Sequence, residues 1–241
     1  MLSLVIPSYN EGKHIYDNLM TIAEILDKSG IDYELVPVND GSSDNTADEI
    51  RRASSVISRI RPVSYDVNRG KGGAIKEGVL QSSGDIIGFL DADLDLSPDH
   101  IPAFLSEMEK TGCDVVIGSK MHKDSQLEYP LARKIFSHCY YILLKVLFGL
   151  KTKDTQTGVK IYKGDLVKSI VPIMTVKGYA FDIEMLALSV RRGAVVREMP
   201  VRVNYTRDQS FGRIKTGDIF KMFTDTLALW WNMRIMKKYD R

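Results

Sequence analysis

An apolar run ends abruptly in two carboxylates at Ile86-Ile87-Gly88-Phe89-Leu90-Asp91-Ala92-Asp93. The apolar residues predict a buried strand, which would deliver both carboxylates to the rim of a sheet. Side chains alternate along an extended backbone, so Asp91 and Asp93 would lie on the same side. Carboxylate oxygens suit hard divalent cations, and Mg²⁺ usually shares its shell with substrate phosphates. We therefore predict a Mg²⁺ or Mn²⁺ site that Asp95 can join; the alternative is a solvated acidic turn before a helix capped at Ser97.

Apolar runs alternate with helical patterns through the first half of the chain, which indicates an α/β fold with a mainly parallel sheet. Strands are predicted at residues 2–7, 33–38, 61–65, 86–90 and 115–119. The second half is less regular, with strands predicted at 159–162 and 194–203 and helices at 131–150 and around 182–192. A last helix should run from about 216 to 238. We expect one domain at residues 1–215, followed by an amphipathic helix at residues 216–241.

The composition is that of an ordinary globular protein, with 44% hydrophobic and 27% charged residues. The formal net charge of +2 is too small to indicate a nucleic acid partner. The two cysteines, Cys113 and Cys139, argue against a disulfide framework and favour a reducing compartment. The chain opens on an apolar strand without a basic leader, and its apolar stretches fall short of the ~18–20 residues that span a bilayer. We expect a soluble or peripheral protein.

Polar motifs follow three of the predicted strands, at the point where each strand ends. They are Pro7-Ser8-Tyr9-Asn10-Glu11, Asn39-Asp40-Gly41-Ser42 and Asp91-Ala92-Asp93. Ligands of open α/β sheets bind outside the carboxyl ends of the strands, so these loops should converge on one site. Asp40 could accept hydrogen bonds from a base N–H or a ribose hydroxyl, and a simple Asx turn at Asp-Gly is the alternative.

A glycine-rich segment, Asn68-Arg69-Gly70-Lys71-Gly72-Gly73, is compatible with phosphate binding. Its glycines expose backbone N–H groups, and the helix that they open directs its positive end toward an anion. Arg69 and Lys71 add full charges. The spacing is that of neither a P-loop nor a Rossmann glycine motif. A flexible helix start with solvated cations is therefore the alternative interpretation.

Together these motifs resemble those of the family 2 glycosyltransferases of GT-A fold, in which half of the sheet is a Rossmann-like nucleotide-binding unit. Within that family the chain looks like the dolichyl-phosphate glucosyltransferases and the dolichyl-phosphate mannose synthases. Two more stretches, Asp154-Thr155-Gln156-Thr157-Gly158-Val159-Lys160 and Phe181-Asp182-Ile183-Glu184-Met185-Leu186, are similar to motifs of the glucosyltransferase branch. The resemblance covers roughly residues 1–215. Asn39 stands where the family commonly has Asp, and Lys120 stands where Arg is frequent and would grip phosphate bidentately.

The resemblance implies roles for individual residues. The donor, a nucleoside diphosphate sugar, would be bound by Pro7, Tyr9, Glu11, Asp40, Arg69, Lys71, Gly72, Asp91 and Ala92. The cofactor, Mg²⁺ or Mn²⁺, would be held by Asp93 and Asp95. The catalytic residues would be Asp91, Asp93, Asp182 and Glu184, of which the last two fix the sugar or shape the acceptor pocket. The acceptor, a polyprenyl or dolichyl phosphate, would be held by Lys120, Arg133, Gln156, Arg207 and Arg213.

The predicted reaction is an inverting hexose transfer from a donor of the UDP-glucose or GDP-mannose type to a polyprenyl phosphate. This acceptor is largely ionised near neutral pH, so its oxygen can attack the anomeric carbon without a general base. A glycan or glycolipid hydroxyl would need a base, and Asp182 or Glu184 would have to serve. A sugar nucleotidyltransferase would carry a glycine-rich loop with Arg and Lys after the first strand, and residues 7–13 do not. A non-catalytic sugar-nucleotide-binding module is the remaining alternative.

Two stretches fit a lipid substrate. In the helix predicted at 131–150, residues 135–150 are more apolar than a half-exposed helix should be. The last helix carries an apolar stripe with Trp230-Trp231, flanked by basic residues, and this combination is typical of an interfacial helix. We expect peripheral attachment to the cytoplasmic side of a membrane. The alternative is a helix that packs on the domain core, or on a second copy of the chain in a homo-oligomer.

Overall fold

The computed structural model describes the backbone of residues 1–125, 131–176, 178, 180–203 and 216–240, and the side chains of the same residues apart from 131–136 and 216–220. Within this part of the chain, seven strands form one sheet in the order β3-β2-β1-β4-β6-β5-β7. The strands are β1 (Leu2–Ser8), β2 (Tyr33–Asp40), β3 (Val63–Tyr65), β4 (Ile86–Leu90), β5 (Val115–Ser119), β6 (Val159–Lys163) and β7 (Val196–Pro200). Only β6 runs antiparallel to its neighbours among these strands, so the prediction of a mainly parallel α/β sheet is confirmed.

The described helices are α1 (Ile15–Lys28), α2 (Thr46–Val56), α3 (Lys71–Gln81), α4 (His100–Thr111), α5 (Leu131–Phe148), α6 (Gly164–Ile170), α7 (Phe181–Arg191) and α8 (Thr216–Arg234). Two of them begin elsewhere than the sequence predicts. The sequence pattern predicts that α3 starts after Gly73. The helix in fact starts inside the glycine-rich segment, at Lys71. Helix α4 starts at His100 instead of directly after Ser97, because the Ser97 hydroxyl donates to the Asp99 carboxylate, at 2.5 Å, in a turn that precedes the helix.

Strands β1 and β2 are apolar almost throughout because helices cover both faces of the sheet. One face packs Val5, Val36 and Val38 against α3. The other face packs Leu4, Ile6 and other strand residues against α1 and α2. The two hydrophobic cores cover the faces of the sheet, and the edge at which the parallel strands end carries the predicted site.

The antiparallel strand β6 brings a distant loop to that edge. Its pairing with β4 sets Val159 opposite Leu90, so Gly158 lies beside Asp91. The Asp91 N–H donates to the Gly158 carbonyl oxygen at 3.2 Å. An antiparallel strand begins where its parallel neighbours end. The loop that precedes β6 therefore lies next to the loops that follow β1, β2 and β4.

Helix α8 packs on the body of the domain. Leu229 and Met233 are buried in the hydrophobic core that also contains residues of α5 and α7. The Thr226 hydroxyl lies 2.8 Å from the hydroxyl of Tyr140 on α5. None of the described helices combines the length and apolarity needed to cross a bilayer. One side of the predicted C-terminal amphipathic helix thus completes the core.

Gly78 allows α3 to approach the sheet closely. A Cβ atom at this position would lie 2.3 Å from Val5 Cγ1 and 3.0 Å from Val38 Cγ2. We expect Gly78→Ala to lower the free energy of unfolding by about 1–3 kcal/mol, because the added methyl group overpacks the core. Urea denaturation measures this change. The exposed Gln81 on the same helix supplies the control, Gln81→Ala, which should stay within about 0.5 kcal/mol of wild type. Equal stability of the two variants would contradict the close packing of α3.

Candidate active site

The loops that follow β1 and β2 are joined by hydrogen bonds. The Asn10 N–H donates to Ser42 Oγ at 3.0 Å, and the Ser43 N–H donates to Asn10 Oδ1 at 2.9 Å. Asn10 has a φ of 54°, in the left-handed region that Asn tolerates better than most residues. The Glu11 N–H donates to Thr46 Oγ1 at 2.8 Å. These bonds hold three predicted donor-binding residues beside the Asp40 loop: Pro7, the exposed Tyr9, and Glu11.

The buried carboxylate of Asp40 is oriented by the segment that leads into α3. Its Oδ1 accepts hydrogen bonds from the Tyr65 hydroxyl and from the Arg69 N–H, each at 2.7 Å. Burial and the neighbouring Asp40 carboxylate raise the pKa of Tyr65, so its hydroxyl remains a donor. Tyr65 was missed by the sequence analysis, and its only signal was its place at the end of a predicted strand. Asp40 is thus a fixed acceptor at the sheet edge.

The two cations at the start of α3 have different partners. The Arg69 guanidinium pairs with Glu77 on the outer side of the helix, at 3.1 Å. The Lys71 ammonium lies 2.5 Å from Asp91 Oδ1. Burial lowers the pKa of Lys71, but Asp91 and Asp182 raise it further, so the net shift is upward and the ammonium stays charged. The start of α3, with Lys71 and Gly72, therefore lies beside Asp91. The Arg69 side chain instead pairs with Glu77 on the surface of the helix.

The acidic pair lies in a turn that follows β4. The Asp95 N–H donates to Asp93 Oδ1 at 3.2 Å, and the Asn18 side-chain amide of α1 donates to the Ala92 carbonyl oxygen at 2.7 Å. The Asp91 side chain meets Lys71, whereas Asp93 closes the turn toward Asp95. No group of three or more His, Cys, Asp or Glu side chains in the described ranges is arranged to hold a metal ion. A divalent cation bound here would therefore need ligands from outside these side chains, and substrate phosphates commonly supply them.

Gly158 makes room for the Asp91 carboxylate. A Cβ atom on Gly158 would lie 2.3 Å from Asp91 Oδ2 and 2.6 Å from its Cγ. The other carboxylate oxygen is held by Lys71. Asp91 therefore cannot move aside without losing its contact with the ammonium group. The sequence analysis quoted Gly158 within a motif but assigned it no role.

The Asp154 carboxylate accepts hydrogen bonds from the backbone N–H groups of two predicted acceptor-binding residues. Its Oδ2 accepts the Lys120 N–H at 2.9 Å, and its Oδ1 accepts the Gln156 N–H at 3.3 Å. The Gln156 side-chain amide lies 2.8 Å from the Met222 sulfur on α8. The structure thus brings Lys120 and Gln156 together at the start of the loop before β6. The remaining acceptor candidates lie outside the described side chains: Arg133, Arg207 and Arg213.

Asp182, in the first turn of α7, is paired with a buried cation. Lys160 on β6 is 2% exposed. Its ammonium lies 2.5 Å from Asp182 Oδ1 and 2.7 Å from the Thr157 carbonyl oxygen. Burial raises the pKa of Asp182, and the attraction of Lys160 and Lys71 opposes that rise. Lys160 was not predicted as a site residue; its signal was a cation between two apolar strand residues, Val159 and Ile161.

Glu184 is fully buried and both of its oxygens accept hydrogen bonds. Oε1 accepts the Thr175 N–H at 2.8 Å and the hydroxyl of Tyr239, and Oε2 accepts the Val176 N–H at 2.9 Å. Burial, followed by the hydrogen bond to Glu184, raises the pKa of Tyr239. Glu184 thus ties the loop before α7 to the C-terminal segment. The catalytic role predicted for Glu184 stays a prediction.

We expect Gly158→Ala to reduce the predicted transferase activity by about a hundredfold, because displacing a catalytic carboxylate by about 1 Å can cost that much. Initial rates at saturating substrate would measure the loss. A matched control is Gly178→Ala, whose added Cβ would meet, among the residues that the structure describes, Asp225 Oδ2 at an ordinary 3.6 Å. The control should keep nearly full activity. Full activity of the Gly158 variant would show that the position of Asp91 is unimportant.

Comparison of the sequence with known proteins identifies a matching family and related proteins. Residues 3–171 match Glycosyl transferase family 2. A dolichyl-phosphate beta-glucosyltransferase of Trichomonas vaginalis is 32% identical over 239 residues, covering 95% of this chain and 72% of the relative. The dolichyl-phosphate beta-glucosyltransferase of Saccharomyces cerevisiae is 31% identical over 220 residues, covering 83% of this chain and 66% of the relative. The chain thus spans slightly less than two thirds of the yeast relative.

Solved structures show the same architecture. Glucosyl-3-phosphoglycerate synthase from Mycobacterium tuberculosis, in complex with uridine-diphosphate, superposes with a TM-score of 0.72 at 20% identity, covering 96% of this chain and 79% of the other. This likeness confirms the GT-A fold that the motifs predicted. The family match extends over most of the chain, from residue 3 to residue 171. The chain therefore belongs to glycosyl transferase family 2.

Proposed function

We propose that this chain is an inverting glycosyltransferase that moves glucose from UDP-glucose to a polyprenyl phosphate of the dolichyl type. The observation that carries the proposal is the contact between Lys71 and Asp91 beside Asp93, at the edge where the loops after β1 and β2 meet. A charged ammonium and a helix start next to two carboxylates suit a diphosphate that binds together with a divalent cation. The relatives named dolichyl-phosphate beta-glucosyltransferases support the sugar and the acceptor class.

The donor nucleotide would lie across the loops of β1 and β2. Asp40, oriented by Tyr65 and by the Arg69 N–H, would accept a hydrogen bond from the base. The Tyr9 side chain is 51% exposed at the same edge and is available to cover the base. The diphosphate would then reach the start of α3, where Lys71 would exchange part of its contact with Asp91 for phosphate oxygens.

The residues present fit a divalent cation. Asp93 and Asp95 offer hard carboxylate oxygens in one turn, and Mg²⁺ is commonly held by one or two carboxylates together with substrate phosphates. A bound Mg²⁺ or Mn²⁺ would neutralise the charge of the departing diphosphate. Solved structures of the mycobacterial glucosyl-3-phosphoglycerate synthase in complex with Mn²⁺ or Mg²⁺ and uridine-diphosphate support this cofactor.

The acceptor phosphate would bind on the side of the loop before β6. Its oxygen is ionised near neutral pH and needs no general base. The surroundings of the two candidate bases, Asp182 and Glu184, agree with a nucleophile that is already ionised. Both Glu184 oxygens accept hydrogen bonds from the protein, and Asp182 is paired with Lys160. The predicted contacts of the acceptor phosphate are Lys120, Arg133, Gln156, Arg207 and Arg213.

A transfer assay tests this function. The protein is incubated with radiolabelled UDP-glucose or GDP-mannose and a polyprenyl phosphate, and the label in the organic phase is counted. We expect label from UDP-glucose, its loss with EDTA, and its return with Mn²⁺ or Mg²⁺. Asp93→Asn should lower the rate by about a hundredfold or more, because charge on the leaving group is no longer stabilised. The exposed Asp17 of α1 supplies the control, Asp17→Asn, which should be fully active.

Two results of the same assay would contradict the proposal. Transfer that persists undiminished in EDTA would exclude the metal from the reaction. Transfer to a glycan or glycolipid hydroxyl, with none to polyprenyl phosphate, would establish the alternative acceptor class and require Asp182 as the base.

We also propose that the outer face of α8 lies on the cytoplasmic surface of a membrane. Phe223, Leu227 and Trp231 recur at four-residue spacing on this face and are 41%, 39% and 52% exposed. Trp230 is half-buried against the core, so the two neighbouring Trp residues face different environments. Exposed cations flank the outer face: Arg234, Lys237 and Lys238. Apolar side chains with a Trp and basic neighbours suit an anionic lipid surface.

Flotation with anionic liposomes tests the membrane proposal. Surface substitutions are preferable to deletion of α8, because Leu229 and Met233 belong to the core. We expect Leu227→Ser/Trp231→Ser to release the protein, and salt to weaken wild-type binding, since each basic residue contributes about 1 kcal/mol at an anionic surface. The control Val56→Ser/Val195→Ser removes two apolar side chains that are 59% and 54% exposed elsewhere.

The control should float with the liposomes as wild type does. Continued flotation of the α8 variant would contradict the proposal. If that variant instead dissociates a dimer in light scattering, the outer face of α8 joins two copies of the chain.

A further inference from the structure

Two ion pairs lie at the proposed donor site, one buried and the other partly exposed. The Lys160 ammonium is 2.5 Å from the Asp182 carboxylate, and the Lys71 ammonium is 2.5 Å from the Asp91 carboxylate. The two pairs adjoin, because the Lys71 ammonium lies 5.9 Å from the ring centroid of Phe181, the residue before Asp182. The pKa of Asp182 accordingly responds to Lys71 and Asp91 as well as to Lys160. The four residues come from β6, α7, α3 and the turn after β4. Of these four residues, Lys160 is the one without a predicted role.

Lys160 is the direct counter-charge of Asp182. The two side chains are 3% and 9% exposed, so water compensates their charges poorly. Two buried hydroxyls of the same region, Thr157 Oγ1 and Tyr162 Oη, have no hydrogen-bond partner among the described residues. Apart from its bond to the Thr157 carbonyl oxygen, the ammonium is therefore directed at Asp182.

The charge of Lys160 decides how many carboxylates Lys71 has to balance. With Lys160 present, Asp182 is neutralised locally and Lys71 pairs with Asp91. Without Lys160, and at a pH above the raised pKa of Asp182, Lys71 would face two uncompensated carboxylates, and the site would carry one more net negative charge. Charges interact strongly where water is excluded, so a diphosphate arriving at Lys71 would be repelled.

We infer that Lys160 is a positioning residue of the donor site, which by pairing with Asp182 leaves Lys71 available to Asp91 and to the donor diphosphate. Lys160 acts through Asp182 and is too buried to contact the donor itself. The inference rests on the proposed function, because the diphosphate is that of the donor nucleotide.

Calorimetric titration with UDP and Mn²⁺ tests this inference without any need for turnover. At alkaline pH, where Asp182 stays ionised, Lys160→Met should weaken UDP binding by about tenfold or more, since an uncompensated carboxylate remains near the diphosphate. Uridine, followed by NMR titration, carries no phosphate and should bind equally to wild type and variant. The matched control is Lys163→Met on the same strand, where the lysine is 47% exposed and pairs with Asp114. Its affinity for UDP should be that of wild type.

The double variant Lys160→Met/Asp182→Asn separates charge from packing. It removes the surplus negative charge, so UDP affinity should return to within about threefold of wild type. A folded Lys160→Met protein with wild-type UDP affinity would overturn the inference, and so would a double variant that binds as weakly as the single one. If Lys160→Met fails to fold by circular dichroism, Lys160→Gln replaces it in the same comparison, with the same expected loss.

The wild-type chain separates this inference from the proposed function. If it binds UDP but transfers no glucose, the proposed reaction is wrong, and the UDP affinities of the variants still decide on Lys160. If it binds GDP in place of UDP, the titrations use GDP and only the donor assignment changes. A chain that binds neither nucleotide would contradict both proposals.

Discussion

The contact between the Lys71 ammonium and the Asp91 carboxylate joins parts of the chain that are distant in sequence. It fixes the start of α3 against the end of β4, and Gly158 at the start of β6 leaves the space in which the carboxylate lies. Each element is first positioned by the hydrophobic cores on the two faces of the sheet. The polar contact then sets the relative positions of the groups that a sugar nucleotide would meet. Because Asp91 has a cation on one side and backbone on the other, the geometry of this edge is determined before any ligand binds.

The balance of charge explains how one small region can hold several ionisable side chains. Lys71 and Asp91 form one pair, Lys160 and Asp182 form a second, and Asp93 closes the acidic turn. A site of this kind needs little acid or base chemistry if the nucleophile is already an anion. In the proposed reaction its work would be to hold two anions in line and to stabilise the leaving diphosphate, which are tasks of positioning and electrostatics.

Helix α8 connects the site to the surface of the molecule. Its inner face supplies Leu229 and Met233 to the core, and Met222 contacts the side chain of Gln156 in the loop before β6. Tyr239, beyond the helix, bonds to Glu184 on α7, two residues after Asp182. An amphipathic helix of this kind has two functions that its sequence pattern does not separate. The inner face stabilises the fold, and the outer face is the one that we propose for a lipid surface.

Local patterns in the sequence were sufficient to predict the strands, most helices, and the convergence of the loops that carry Asp40 and Asp91. Each of these depends on residues close together in the chain and on the rule that parallel strands present their carboxyl ends to ligands. The partners of those residues depend on packing. The antiparallel insertion of β6, the use of Gly158 by Asp91, and the pairing of Lys160 with Asp182 join segments whose register is set only when the sheet assembles. No spacing in the sequence encodes these distances, because they arise from the hydrophobic contacts that bring the segments together.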